Sequence, residues 1–471
     1  MFEVVDYALK RGAKYVDVRV QLEESTGFTA SEGVVDEGGT VSLRGVGVRV
    51  IVDGAWGFSS VDNASSEAKM RETVDRAIKL AGKSAQGIFS PVELAPTEVY
   101  HVRAVDESSE LEICKEFAIE DVLEPAKECD RRIRSAGTEI QASSLSFTIG
   151  RFIETFASSD GSLITQAFTG YLGTLYVIAS NEGISEYYPH DFGGLGDYRT
   201  FLNQDLPAIS ERIAAKTCQL VRSRTLNQIP SFKTVIMDPE FVALWVHETI
   251  GHPLEADRVL GGRGDPQNAP WTCNALGNKV ADECFSVVDD PSIKNPACFD
   301  FDSEGVRGRR KPLITKGVMK NCIHNRETAA AFHVEPNGGA RSPSYRFTPM
   351  PRMSNTYVEP GDWTLEETIE DTKEGIYVVG SIAPSVDGRA YGWKISAKES
   401  YIVAKGEIGE MLRGVIVSEV TPDFLISIDA LTKDLGITVT PDCGKGSPIQ
   451  MLPVGNGGPT IRGKAYVAGV E

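Results

Sequence analysis

The sequence lacks the features that mark a secreted or membrane-spanning protein. None of its apolar runs approaches the roughly 18 residues that a transmembrane helix needs. Its first residues, MFEVVDYALKRGAK, include acidic side chains where a secretory signal has an apolar core. The eight cysteines are scattered over 471 residues, and none forms a CxxC pair. We therefore expect no leader, no membrane partner and no disulfide framework, but reduced thiols in a cytoplasmic protein.

Basic residues are scarce relative to acidic ones. The chain has 48 Lys and Arg against 66 Asp and Glu, which gives a formal net charge of −18. Its densest basic run, residues 307–311 (RGRRK), is short and loop-like. This balance disfavours nucleic acid as a partner, because phosphate backbones are bound by basic faces. The chain also has no heptads, no long-period repeats and no low-complexity tract, so it is neither a coiled coil nor a solenoid.

What the sequence does contain predicts an α+β fold in two domains. Residues 1–224 alternate short amphipathic helices with strand-like text, including a hairpin signal at Asp53-Gly54 and a run of strands over 139–184. We expect helices near 2–11, 65–81, 111–134 and 206–222 around an antiparallel sheet. The polar stretch TLNQIPSFK at 225–233 marks the boundary.

The second predicted domain, residues 225–471, is rich in short strands. A long irregular region rich in Gly, Pro, Asp and Asn extends from about residue 262 to 353, and strands dominate after it. We expect a curved sheet or a barrel, with one apolar helix packed against it. That helix carries the residues with the clearest chemistry.

The helix belongs to the stretch FVALWVHETIGHPLEADRVLGG, residues 241–262. His247 and His252 can supply neutral nitrogens for a zinc ion, and the carboxylate of Glu248 stands beside the first of them. A histidine in an amphipathic helix is more often structural. However, two of only six histidines lie within this short stretch, and this concentration favours a metal site.

The spacing of these histidines is unusual. Zinc peptidases commonly place them at i and i+4, on one helical face. Here they are five residues apart, and such positions diverge by about 140° on a regular helix. They can meet one ion only if the helix ends between them or widens. Gly251 and Pro253 favour a helix over about 239–250 that breaks at His252, and a π-bulge is the other solution.

A catalytic zinc needs a third protein ligand, and the residues alone leave its identity open. The candidates are Glu255, Asp257, His324, His333 and a cysteine, of which Cys443 lies in loop-like text. Glu255 and Asp257 could instead orient a metal-bound imidazole, or they could belong to a solvated loop. The polar neighbours of His324, Asn-Arg-Glu, favour a surface turn over a functional role.

Several motifs together resemble the TldD/PmbA family of metallopeptidases. They are H-E-x-x-x-H followed by P-L-E-A-D, the run DGRAYGW at 387–393, and the late Cys-Gly-Lys at 443–445 within a Gly- and Pro-rich tail. The segment RGVGVRVIVDGAWG at 44–57 is also similar to the family's N-terminal domain. The resemblance extends over the whole chain. It is to the TldD type, because the PmbA/TldE type lacks an intact H-E-x-x-x-H.

This resemblance implies one zinc per chain, held by His247, His252 and Cys443, with Glu248 as the general base. It implies cleavage of short or unfolded peptides, and a dimer of identical chains or of a TldD-type chain with a PmbA/TldE-type one. Arg389 could bind a peptide carboxylate. The alternative function is a peptide-binding or maturation scaffold, whose structural zinc would have four protein ligands, including Glu255 or Asp257.

Overall fold

The computed structural model describes residues 1–63, 66–88, 90–105, 120–196, 200, 203–226, 229–265 and 267–470. The fold is α+β, with 24% helix and 46% strand, as the sequence pattern predicts. The α-helices are Phe2–Lys10 (α1), Glu67–Ser84 (α2), Glu120–Ser135 (α3), Leu206–Arg222 (α4), Pro239–Val246 (α5), Ala256–Gly264 (α6), Arg326–Phe332 (α7), Leu365–Glu370 (α8) and Thr421–Ser427 (α9).

The strands of the first half are β1 (Tyr15–Ser31), β2 (Val34–Val52), β3 (Ala55–Asp62), β4 (His101–Val105), β5 (Ile140–Ser158), β6 (Leu163–Asn181) and β7 (Ile184–Leu195). Those of the second half are β8 (Arg224–Thr225), β9 (Ser231–Met237), β10 (Val287–Asp289), β11 (Lys311–Thr315), β12 (Val318–Met319), β13 (Ala340–Arg341), β14 (Met350–Pro351), β15 (Asn355–Val358), β16 (Glu374–Val386), β17 (Gly392–Ala404), β18 (Glu407–Arg413), β19 (Val415–Val420), β20 (Ala430–Leu431), β21 (Gly436–Lys445), β22 (Gln450–Gly458) and β23 (Ile461–Gly469).

The N-terminal half forms one sheet of long strands in the order β3-β2-β1-β5-β6-β4, with β7 also paired to β6. The predicted hairpin is confirmed: Asp53 and Gly54 have φ of 51° and 79°, which gives the twist that a two-residue hairpin turn requires. Helices α1 and α2 pack on this sheet through one apolar cluster, and α3 and α4 through another. The predicted start of α3, residues 111–119, lies outside the described residues.

The C-terminal half contains a closed five-strand barrel, so the barrel prediction is confirmed. Strands β16, β9, β23, β19 and β17 follow one another, and pairing of β16 with β17 closes the ring. Helix α5 packs in this half through Trp245, which is fully buried and meets Trp393 and Phe424 edge to face. No helix in the described ranges is both long and apolar enough to cross a bilayer. The domain boundary at 224/225 stays a prediction.

A six-stranded sheet in the order β12-β11-β10-β15-β22-β21 lies against the same helix. The close approach depends on Gly458 at the end of β22, because a Cβ there would stand 2.6 Å from Val242 Cγ1 of α5. Strand β21 carries Cys443 and β22 carries Asn456. This contact therefore brings residues from the end of the chain to the helix that bears the histidines.

The two halves are joined by a buried ionic group that we term the junction cluster: Asp17, Arg49, Glu304 and Arg326. The Arg49 guanidinium lies 2.6 Å from Asp17 and 3.0 Å from Glu304, and the Arg326 backbone N–H donates to Glu304 at 2.8 Å. The predicted surface turn beside His324 is therefore wrong. Residues 324–326 are buried under the N-terminal sheet, and Asn325 caps α7.

Candidate metal centre

The histidines lie in a widened helical turn. Helix α5 begins after Asp238, whose carboxylate accepts the Phe241 N–H at 2.8 Å, and its α-helical geometry ends at Val246. Residues His247–Gly251 then form a π turn, in which the His252 N–H donates to the His247 carbonyl. This bond spans five residues and places both imidazoles on one side, with ring centroids 4.6 Å apart. Of the two predicted solutions, the structure adopts the π-bulge.

Neighbouring side chains stabilise this turn. The Thr249 hydroxyl donates to the Trp245 carbonyl at 2.6 Å, and the Trp271 indole donates to the Thr249 carbonyl at 2.7 Å. Both carbonyls lie where a π turn disturbs the regular ladder of backbone hydrogen bonds. Gly251 is needed for space, because a Cβ there would meet the buried Met353 sulfur at 2.0 Å. The widened turn therefore fits its surroundings without unpaired carbonyls at these two positions.

Cys443 completes a cluster of three potential ligands. A register shift in the pairing of β21 with β22 falls between Thr440 and Cys443. The Cys443 Sγ lies 3.4 Å from the Nε2 atom of each histidine. All three ligand atoms lie within 4.8 Å of one another, and His247 and Cys443 are each only 3% exposed. The structure thus brings together the three residues that the family resemblance points to.

The remote ring nitrogens are each held by an acceptor. His247 Nδ1 lies 3.0 Å from Asn456 Oδ1, and the Asn456 amide nitrogen donates to Thr440 Oγ1, also at 3.0 Å. With the amide in this orientation its oxygen faces His247 Nδ1, an arrangement that suits a proton on Nδ1 and directs Nε2 at the cluster. His252 Nδ1 faces Glu255 Oε2 at 3.0 Å. Both Nε2 atoms therefore face the shared centre, where a metal ion could displace a proton that either of them carries.

Glu255 is the centre of a buried charged group. Its Oε2 receives Arg258 Nε at 3.1 Å and lies 3.2 Å from Lys445 Nζ. Burial by itself raises the pKa of this carboxyl, but Lys445 and His252 outweigh burial and hold the pKa well below its usual range. Arg352, which is fully buried, lies 3.7 Å from the other carboxylate oxygen and donates to the Cys443 carbonyl. Glu255 and Arg352 thereby connect two potential ligands from distant parts of the chain.

The same group perturbs the two potential ligands that face each other. Burial raises the pKa of the Cys443 thiol, but electrostatic interactions and hydrogen bonds with His247 and His252 outweigh burial and lower the pKa to about 5. Burial lowers the pKa of His252, yet the Glu255 carboxylate outweighs it and raises the pKa to about 9. The metal-free cluster therefore holds a thiolate beside a protonated imidazole. A divalent cation would take the place of that positive charge.

The donor set and its spacing fit zinc. In a tetrahedral site, zinc–nitrogen distances of about 2.0–2.1 Å and a zinc–sulfur distance of about 2.3 Å put sulfur and nitrogen about 3.6 Å apart. The two separations of 3.4 Å between Cys443 Sγ and the histidine nitrogens agree with this value. Two imidazoles and one thiolate are a donor set that zinc accepts, and three ligands leave a fourth position open.

The cluster borders a cavity of about 670 Å³. Its lining includes half-buried Glu248, next to the first histidine, and three further carboxylates, Asp265, Asp387 and Asp442. Asp387 is used within its own turn, where it accepts the N–H groups of residues 389, 391 and 392. Glu248 thus shares one cavity with all three potential ligands, as a general base must.

The other predicted residues are placed elsewhere. Asp257 accepts from Lys445 Nζ at 2.7 Å, and no contact between its carboxylate and an imidazole is among those described. His324 is buried against Thr328 and Phe332, and burial lowers its pKa to about 4. His333 is exposed at the end of α7 with φ of 56°, and Arg389 pairs with Asp387 at 3.8 Å, over the Tyr391 ring.

Sequence reasoning missed three residues of this centre: Asn456, Arg352 and Lys445. Lys445 stands two residues after Cys443, and a strand through both would have put the two side chains on the same face. Asn456 and Arg352 gave no local signal. Their roles depend on the pairing of β22 with β21 and on the approach of the segment before β15.

Three sequence profiles of one family match the chain. They describe the PmbA/TldA metallopeptidase domain 1 at residues 16–81, the central domain at 106–224 and the C-terminal domain at 232–469. A metalloprotease of Methanocaldococcus jannaschii is 32% identical over 463 residues, which are 96% of this chain and 97% of that protein. A zinc metalloprotease TldD homolog of Saccharolobus solfataricus is 28% identical over 483 residues, covering 100% and 99%.

A solved structure shares the fold. The crystal structure of TldE from Thermococcus kodakarensis superposes with a TM-score of 0.77 at 18% identity, and the match covers 100% of both chains. The similarity therefore includes the N-terminal sheet as well as the barrel and the sheet that carries Cys443.

Proposed function

Because the chain belongs to the PmbA/TldD family of metallopeptidases, we propose that it is a zinc-dependent peptidase acting on short or unfolded peptides. One zinc per chain would be held by His247, His252 and Cys443. The observation that carries the proposal is the convergence of two Nε2 atoms and one Sγ at 3.4 Å separations beside a cavity, while acceptors hold both remote nitrogens.

The chemistry divides between the ion and Glu248. Bound zinc would polarise the scissile carbonyl and lower the pKa of its water to near 7. Glu248 would accept the proton of the attacking water and return it to the leaving amine. Asn456 and Glu255 would keep the two imidazoles in the tautomer that presents Nε2. The thiolate of Cys443 would add negative charge to the site. Because this charge makes the bound zinc a weaker Lewis acid, we expect slow turnover.

The scaffold alternative requires a fourth protein ligand, and the described contacts do not favour one. The Oε2 atom of Glu255 is occupied by His252, Arg258 and Lys445. Asp257 is paired with Lys445. Among the described residues, the group that could hold an ion has three members. This supports a site with one open position, which catalysis needs and a structural site does not.

Metal content tests the ligand set directly. We expect about one zinc per chain in the wild type and in Glu248→Ala, and loss of zinc in His247→Ala and Cys443→Ser. Cys129→Ser is the matched control, because Cys129 is an equally buried thiol in the N-terminal half. Full zinc in Cys443→Ser would remove Cys443 from the site. Absence of zinc from every form, even after reconstitution, would contradict the metallopeptidase proposal.

The substrate and the partner follow from the family and the cavity. A cavity of about 670 Å³ accepts a few residues of extended chain, which supports short or unfolded peptides over folded proteins. We propose that the chain works in the cytoplasm as a dimer, either with its own copy or with a PmbA/TldE-type chain. Light scattering on the purified protein tests the first arrangement, because a monomer at micromolar concentration would leave only the second.

A further inference from the structure

A second cavity, of about 260 Å³, lies between the N-terminal sheet and two segments of the C-terminal half, residues 296–303 and 341–343. It shares no lining residue with the cavity beside the three potential zinc ligands. The strand register fixes which side chains of the sheet face it. Glu23 of β1 lies directly opposite Phe152 of β5, which in turn lies directly opposite Phe168 of β6. Because directly opposed residues share a face of a sheet, all three side chains point to the cavity.

Aromatic rings form the walls of this cavity. Phe152 and Phe168 have ring centroids 5.1 Å apart, and Phe299 and Phe301 line the cavity from the segment above. One cation of the protein already uses these rings, because the Arg341 guanidinium lies over the Phe299 ring at 5.6 Å from its centroid. The face of an aromatic ring attracts positive charge. The walls therefore suit a guest that is both apolar and cationic.

The floor beside the phenylalanine pair is made of small residues. Gly150 lies directly opposite Gly170, and Ser25 is the partner of Gly150 on β1. Ser25 is also two residues from Glu23, on the same face of the strand. This row leaves space along the floor for the body of a small ligand whose charged end reaches Glu23.

Three carboxylates line the cavity, and two of them already have partners. Asp302 accepts three backbone N–H groups. Glu154 accepts from the amide of Gln21, and the attraction of Arg19 opposes the effect of burial on the Glu154 pKa. Glu23 is half-buried, and no hydrogen bond or ion pair of its carboxylate is among the described contacts. Burial raises the pKa of the Glu23 carboxyl.

Arg341, the cation beside these rings, has other partners. It donates through one guanidinium nitrogen to the Met353 carbonyl at 2.6 Å, and the charge of Asp289 attracts it. Glu23 is thus a half-buried carboxylate without a counter-ion in the described part of the chain. Because burial penalises a charge that has no partner, a ligand that brings positive charge to Glu23 gains binding energy there.

We propose that this cavity is a binding site for a primary ammonium ion with an apolar, preferably aromatic, body. The ammonium group binds the Glu23 carboxylate beside the rings of Phe152 and Phe168, and the body lies along the row of small residues. The ligand comes from one of two sources: a free amine, or the amino-terminal residue of a peptide. The site does not depend on zinc or on peptide cleavage.

Calorimetric titration of the full-length, zinc-loaded protein at pH 7 tests the proposal with four probes. They are 2-phenylethylamine, phenylalaninamide, 2-phenylethanol and 3-phenylpropionate. The first represents a free amine, the second an amino-terminal residue, the third lacks the charge and the fourth reverses it. We expect one or both amines to bind, and the alcohol and the carboxylate not to bind. Equal binding of 2-phenylethanol, or no binding of either amine at millimolar concentration, would overturn the proposal.

Variants assign the binding to this cavity. Glu23→Gln keeps the size of the side chain but removes its charge, and it should weaken amine binding at least about tenfold. Phe168→Leu keeps an apolar wall but removes the ring face, and it should weaken binding about three- to tenfold. Ser25→Leu fills the row of small residues and should abolish binding. Unchanged affinity in Glu23→Gln would refute the assigned contact.

Two controls separate this site from general negative charge and from the other cavity. Glu24→Gln removes the neighbouring carboxylate, which lies opposite Arg151 on the other face of the sheet, and it should leave binding unchanged. Asp442→Asn removes a carboxylate of the cavity beside the zinc ligands and should also leave binding unchanged. Loss of amine binding in Asp442→Asn, with binding retained in Glu23→Gln, would place the ammonium group in that cavity and refute the second site.

Discussion

The three potential zinc ligands His247, His252 and Cys443, here termed the metal cluster, and the junction cluster are both buried and polar. Their hydrogen bonding differs. In the junction cluster, Arg49 meets Asp17 and Glu304, and the Glu304 carboxylate also accepts a backbone N–H, so opposite charges face each other at the centre. In the metal cluster, the outer atoms are paired, while two Nε2 atoms and one Sγ point at one another.

This difference separates a structural group from the proposed metal site. A buried charge network whose members satisfy each other needs nothing more, and here it fastens the N-terminal sheet to the C-terminal half. Ligand atoms that converge while hydrogen bonds hold the rings from outside leave a place for a cation, which is a proton in the metal-free cluster and would be a metal ion in the loaded one. Burial and polarity alone would not distinguish the two clusters. The convergence of three potential ligand atoms on one point does.

The largest expected effect is on catalysis at the metal cluster. Glu248→Gln should lower peptide cleavage about 10²–10⁴-fold, because the amide cannot accept the proton of the attacking water. Zinc content should be unchanged. Asp442→Asn is the control, since Asp442 is a second carboxylate on the same cavity with no assigned proton transfer. Normal cleavage by Glu248→Gln in a fluorogenic peptide assay would disprove the general-base role.

The next largest effect is on folding at the junction cluster. Arg49→Met should lower the free energy of unfolding by about 3–5 kcal/mol, because it leaves Asp17 and Glu304 buried without their counter-ion. Chemical denaturation measures this. Arg71→Met, which breaks an exposed ion pair with Glu67, should cost no more than about 1 kcal/mol. Neither variant should change zinc content per folded chain. If Arg49→Met lost zinc, the two clusters would not be independent.

A smaller effect should follow from the supports of the metal cluster. Glu255→Gln should weaken zinc binding about 10–100-fold, because it removes the charged acceptor behind His252. Asp257→Asn should have little effect, since the described contacts of Asp257 include Lys445 but no imidazole. Competition with a chromophoric chelator gives both affinities. Equal losses in the two variants would mean that net charge, and not the hydrogen bond to His252, sets the affinity.

The smallest effect concerns His324, a buried histidine outside both clusters. Burial lowers its pKa to about 4, whereas the unfolded chain titrates near 6.5. Between these two pH values the unfolded state therefore binds more protons than the folded state. The contribution of His324 to the free energy of unfolding is complete above pH about 6.5 and is lost as the pH is lowered towards 4. The variant His324→Gln should lose about 1–2 kcal/mol less free energy of unfolding than the wild type when the pH is lowered from 7 to 5. Melting curves of the chelator-treated proteins at pH 7 and pH 5 should show a smaller drop for the variant.

Local patterns predicted much of this molecule. The hairpin at Asp53-Gly54, the helices of the first half and the barrel-like second half follow from period and turn chemistry. The five-residue spacing of His247 and His252 was sufficient to require either a break or a π turn. Backbone geometry alone limits the helix between the histidines to a break or a π turn. This prediction therefore needs no knowledge of the residues packed around the helix.

Contacts between distant segments could not be predicted in the same way. Cys443 lies 191 residues beyond His252, and only the family resemblance singled it out from the other candidates. No local pattern marks Asn456, which lies in a glycine-rich tail. Its contact with His247 arises only because β22 pairs with β21 and lies against α5. Local patterns predict the polar residues after His324 at the surface, because nothing in the neighbouring sequence indicates that the N-terminal sheet covers them.

The π turn also limits which changes of sequence the site tolerates. Such a turn is equivalent to one residue inserted into a regular helix. Deleting Thr249 would restore the common four-residue spacing of the histidines, but it would rotate every later residue by about 100° about the helix axis. Glu255 would then leave His252, and Gly251 would leave the space that it shares with Met353. The extra residue of the π turn is therefore fixed by the structure around it, because shortening the turn would require several simultaneous changes.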